Sequence, residues 1–188
     1  PEEPPAPPAP PSKVRTLLGW SQIQEVGARD PNAKLGPLGY DEARWIGGSE
    51  TLFYTVLFEN IESATAPAQQ VLITDLLDAD LDWTTLRITE IAYGDRVIPV
   101  SDGWGGTYVL DEIPDYRPEV SDTWIVESLI SLDYATGLLK AVMTTLDPLT
   151  GEYPEDPLAG FLPPNDETGR GEGRISFAID PRPGLPYS

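Results

Sequence analysis

Carboxylates dominate the chemistry open to this chain. Its 188 residues hold 31 Asp and Glu against 12 Lys and Arg, with neither His nor Cys, for a formal net charge of -19. That composition excludes a Ser-His-Asp triad, a Cys nucleophile, a disulfide and the ordinary zinc and haem ligand sets. What remains is oxygen chemistry. Asp75, Asp78, Asp80 and Asp82 crowd the segment DLLDADLD, while Asp30 with Asn32 and Asn165 with Asp166 form two loop pairs. Ca²⁺ takes about six to eight oxygen ligands, so these side chains are the candidate calcium ligands. The competing reading makes them turn formers bonded to their own backbone. It is the stronger one, because the chain has no DxDxDG loop.

Paired carboxylates also serve glycosidases. With 31 acids, however, a chance pair across a groove is expected, so no catalytic residue is assigned and no enzyme is expected. GRGEG at 169–173 has the glycines of a phosphate loop, but it leads into a strand and lacks the Lys-Ser/Thr that a P-loop needs. A tight turn or bulge is expected there. LDPLTGE at 146–152 looks like a sortase signal with an Asp inserted. With no apolar and basic tail after it, a β-turn is the better reading.

An intramolecular isopeptide bond would need Lys13, Lys34 or Lys140 to meet Asn32, Asn60 or Asn165 beside a buried acid. It would lower the intact mass by about 17–18 Da. Trp45, Trp83, Trp104 and Trp124 could stack on pyranose rings as a glycan platform, although Trp in a sandwich usually belongs to the core. A pI near 4.1 works against nucleic acid. No apolar run reaches the roughly 18 residues of a membrane span, so no membrane insertion is expected. The chain opens on Pro1 rather than Met, which implies processing or excision. High acidity without cysteine suits a secreted bacterial surface protein.

The elements that must position these groups are strands. TLFYTVLFE puts Leu52, Tyr54, Val56 and Phe58 on one face, with Thr51, Thr55 and Glu59 on the other. QQVLITDLL, TLRITEIAY, RVIPV and GTYVL follow. WIVESLISLD and LLKAVMTTL come next, joined through Tyr134 to Gly137 in a hairpin whose Gly takes positive φ. In RISFAID, Ile175, Phe177 and Ile179 alternate with Arg174, Ser176 and Asp180. Short strands rich in β-branched and aromatic residues, broken by turn chemistry, describe an all-β antiparallel sandwich. DEARW at 41–45 is expected to form at most one helical turn. Residues 147–173 form a long proline-bearing connection, with Phe161 and Leu162 as the expected anchors.

Three regions result. Residues 1–12 are a Pro-rich tail or spacer, with seven prolines in the first eleven positions. Residues 13–29 form an extended segment carrying Leu17, Leu18, Trp20, Ile23 and Val26, and residues 30–188 are the sandwich.

DPNAKLGPLGY at 30–40, YTVLFENIESATAPAQQVLITDLLDADLDWTTL at 54–86 and DPLTGEYPEDPLAGFLPPNDETGRGEGRISF at 147–177 resemble a repeat module of large bacterial secreted surface proteins. The module is an uncharacterised, DUF11-like β-sandwich, and the resemblance covers residues 30–185. It implies an immunoglobulin-like fold, export from the cell, a stalk or adhesin role and no enzymatic activity. Two departures stand out. Ala33 occupies a position where the family commonly has a carboxylate. The family also continues past a motif like Gly184-Leu185-Pro186 with one more strand, whereas this chain ends at Tyr187-Ser188. The resemblance therefore implies a sandwich lacking its last strand. A sheet edge so exposed invites an added strand. The extended segment, anchored by Leu18, Trp20, Ile23 and Val26, is the candidate donor to a neighbouring copy, which would build a head-to-tail filament.

Overall fold

The structure is a computed structural model and describes residues 33–37, 50–98, 100 and 107–184. The extended segment 13–29, its four anchors, Asp30, Asn32, Trp45, Trp104 and the DEARW piece lie outside the described residues. Among the described residues nine strands follow in chain order: β1 (Ala33–Leu35), β2 (Leu52–Glu59), β3 (Gln70–Leu76), β4 (Leu81–Tyr93), β5 (Arg96–Ile98), β6 (Thr107–Pro114), β7 (Thr123–Asp133), β8 (Leu138–Leu146) and β9 (Glu172–Pro181). The described residues contain no helix, and so none long and apolar enough to cross a membrane.

The strands form two antiparallel sheets, ordered β1-β2-β9-β4-β5 and β3-β8-β7-β6. The all-β sandwich expected from the sequence is the fold observed. Alternation decides which face of each strand is buried. In β2, Leu52, Val56 and Phe58 are buried with Tyr54 packed beside them, while Phe53 on the opposite face is 65% exposed. In β7, Trp124, Val126, Ser128, Ile130 and Leu132 all turn inward. β9 supplies Ile175, Phe177 and Ile179, and its registers put Phe177 beside Tyr54 on one side and Ile88 on the other. Strand β9 is therefore the centre of its sheet. Burying each such side chain contributes roughly 1.5–3 kcal/mol.

Two local expectations are met and one is corrected. Gly137 closes the β7–β8 hairpin at φ 78°. The long connection is pinned as expected: Leu162 bridges Ala68, and the backbone N–H of Phe161 donates to the Thr145 hydroxyl at 3.0 Å. The Phe161 ring meets Tyr93 edge-on at 5.0 Å. Asp75 and Asp82, however, do not belong to a turn. Asp75 lies within β3 opposite Leu139, and Asp82 lies within β4 opposite Asp180, followed by a register shift before Arg87. The shift lets a strand begin inside a segment whose composition reads as a loop.

Candidate functional site

The two sheets meet unequally at their two sides. At one, β5 packs near β6. At the other, short β1 lies across from β3, and this side carries the site. All three β1 residues are exposed, and among the described residues they pair only Thr55, Val56 and Leu57 of β2. Strand β3 pairs with β8 on one flank, and its other flank has no strand partner among the described residues. Its burial alternates between exposed and half-buried rather than exposed and buried. Val71 and Ile73 pack against the core, while Leu72 and Leu76 are 54% and 69% exposed. Leu35 and Phe53 add exposed apolar surface on the facing sheet.

One ion pair spans this side. Lys34 lies opposite Val56 and Asp75 opposite Leu139, and both of those partners are buried. Lys34 and Asp75 therefore occupy core-facing positions on edge strands of opposite sheets. Lys34 Nζ donates to Asp75 Oδ2 at 2.5 Å, and the Asp75 side chain is only 16% exposed. The ammonium also sits 4.7 Å from the Tyr54 ring centroid and 5.6 Å from that of Phe177. Burial first, then the nearby Asp75 and Asp78 carboxylates, push the Tyr54 phenol above its ordinary pKa. A groove of about 320 Å³ opens beside the pair, lined by Val56, Leu72, Ile73 and Thr74. Inward-pointing charge on an edge strand is a recognised way of guarding a sheet edge.

The calcium candidates among the described residues are not brought together. Asp75 is engaged with Lys34. Asp78 Oδ1 accepts from the Asp80 backbone N–H, and Asp82 Oδ1 accepts from the Thr84 backbone and hydroxyl. The Thr84 bonds hold the Asp82 carboxyl below its usual pKa. Asp166 does the same with Thr168 and pairs with Arg170 at 2.9 Å. Asn165 braces the start of β9: its carbonyl accepts from Asp166 and Gly171, and its amide donates to Glu59 and Glu172. Among the described residues no three acidic side chains are placed to hold a metal ion. The turn-forming alternative describes Asp78 and Asp166, while Asp75 and Asp82 lie in strands.

The aromatic platform fares likewise among the described residues. Trp124 is a core residue, 6% exposed, with its indole N–H on Asp115. Trp83 donates to the Asp78 carbonyl, and its ring carries the Arg182 guanidinium at 5.6 Å. Of the isopeptide partners named from the sequence, Lys34, Asn60 and Asn165 are engaged elsewhere. Asn60 is buried and donates to the Ala66 and Leu162 carbonyls, and Lys34 meets Asp75 rather than an asparagine. GRGEG is the expected turn, with Gly169 at φ 74° ahead of β9.

Sequence reasoning missed one cluster entirely. Asp115, fully buried at its side chain, accepts from the backbone N–H, Nε and Nη2 of Arg117 and from Trp124. Arg117 also reaches Asp156 in the long connection at 2.8 Å. Burial pulls the Asp115 carboxyl upward, but these hydrogen bonds and the Arg117 charge outweigh it and hold the pKa below the usual value. A signal existed in the lone Arg of PDYRPE, flanked by acids.

The fold and site thus define an antiparallel β-sandwich module with one partly open side. Residues 30–97 match a family described as a domain of unknown function, DUF7619. The match spans β1 through β4 and most of β5, and it includes both Lys34 and Asp75. It provides no link to DUF11-like or immunoglobulin-like repeats. No curated protein and no solved structure matches the chain.

Proposed function

We propose that this chain is a non-enzymatic, extracellular structural module. In this reading, residues 16–28 of one copy add as a strand beside β3 of the next and build a head-to-tail filament. The observation that carries the reading is the flank of β3, seven residues long, that has no strand partner among the described residues, with exposed Leu72 and Leu76. Main-chain hydrogen bonds along that flank would supply affinity, and apolar side chains such as Leu18, Trp20, Ile23 and Val26 would set the register. The donor segment precedes β1, the strand across from this flank, by a few residues in the chain. A structural role also agrees with the acidic side chains of Asp78, Asp82 and Asp166, each bonded to backbone two residues on. The DUF11-like resemblance adds the expectations of export and of an immunoglobulin-like fold; the matched family, of unknown function, adds neither.

Deleting residues 1–28 tests the reading. Negative-stain microscopy and light scattering should show filaments for the full chain and none for the truncated one. With a net charge of -19, assembly should strengthen as salt screens repulsion. Filaments that survive the deletion would refute strand donation. A full chain that stays monomeric would instead favour a stalk or a glycan- or calcium-binding repeat of a surface adhesin.

A further inference from the structure

We propose that Lys34 and Asp75 are joined by an intramolecular amide bond. This inference does not rest on the filament reading, since the geometry belongs to a single copy of the sandwich.

Three observations point to it. The two side chains come from positions 41 residues apart, on edge strands of opposite sheets, and both occupy core-facing positions. Nζ and Oδ2 stand 2.5 Å apart, in direct contact. The amine lies against the stacked rings of Tyr54 and Phe177, and the carboxyl is mostly withdrawn from water. An exposed Lys–Asp pair held only by charge contributes little to stability. Here both groups are held in register by backbone pairing on their own sheets, so their encounter is built into the fold.

The chemistry balances without a further reactant. Proton transfer within the pair converts ammonium and carboxylate into neutral amine and carboxylic acid. Nζ then attacks Cγ of Asp75, the new C–N bond forms and a C–O bond breaks. The departing oxygen leaves as water, carrying the acid proton and one amine proton, and the adjoining groove gives it a way out. Free amines and carboxylates do not condense appreciably in water. Fixed intramolecular groups reach effective molarities on the order of 10⁵ M or more, which supplies the missing drive. The product would staple β1 to β3 covalently and close the partly open side of the sandwich.

Intact-mass spectrometry of the folded, full-length chain under denaturing conditions is the test. The expected mass lies about 18 Da below that of the sequence, and digestion should yield a branched peptide joining Lys34 to Asp75. Lys34→Arg should restore the full sequence mass. Asp75→Asn should show a deficit of about 17 Da, because the leaving group becomes ammonia. A wild-type chain at its full sequence mass would overturn the proposal. So would a deficit that persists in Lys34→Arg, since the lost water would then come from elsewhere.

Discussion

Removing the Arg117 guanidinium should destabilise the fold far more than a surface charge would. In Arg117→Ala, the buried Asp115 carboxylate loses its Nε and Nη2 hydrogen bonds and its only ion-pair partner among the described residues. It keeps the backbone N–H at position 117 and the Trp124 indole. Breaking a buried pair costs about 3–5 kcal/mol. The retained bonds and the partial exposure of Arg117 bring the expected loss to about 2–3 kcal/mol. The Asp156 link adds little, because it is half in water. With a urea m-value of about 2 kcal/mol/M, the midpoint should fall by about 1–1.5 M. Trp124 fluorescence reports on the site directly. Adding Asp115→Asn to Arg117→Ala should recover part of the loss by removing the stranded charge, giving a coupling of about 1–2 kcal/mol. An Arg117→Ala midpoint within about 0.25 M of the parent would refute the argument. So would an Asp115→Asn cost that is equal in both backgrounds.

Acid should narrow that difference. The folded pKa of Asp115 is depressed, so its contribution to stability is complete above the unfolded value of about 3.9 and is lost as pH falls towards the folded one. Denaturation at pH 5 and pH 3 should show parent and Arg117→Ala converging at the lower pH; a constant gap would contradict this. Asn60→Ala should cost about 1–2 kcal/mol by orphaning the buried Ala66 carbonyl and removing one of the two donors to the Leu162 carbonyl, measured by thermal melting against an exposed control such as Thr74→Ala. Gly173→Ala should cost about 1–3 kcal/mol, because a Cβ there would meet the Phe58 ring at 2.2 Å. Phe58→Leu in the same background should return part of that loss.

How much was legible beforehand follows from the range of each interaction. Alternation within eight or ten residues assigned the buried faces of β2 and β9, and turn chemistry within four assigned the Gly137 hairpin. The isolated apolar pair Phe161-Leu162 marked where a polar connection had to be anchored. Asp78 and Asp166 were readable as turn formers because their partners are two residues away. Pattern failed at Asp82, which the aspartate-rich run presented as loop and which tertiary pairing with β9 drew into β4. Asp115 and Arg117 are neighbours in sequence, yet nothing local shows that Trp124 and the long connection close over them.

The sequence by itself determined that the chain is all-β, which side chains of several strands face inward, and that catalysis through His or Cys is absent. These follow from composition and from periods shorter than a strand. Only the tertiary structure decided that the last strand, β9, lies between β2 and β4, and that Lys34 meets Asp75 across two sheets. Both depend on which edges come together, a choice made by the packing of the whole core rather than by any one segment.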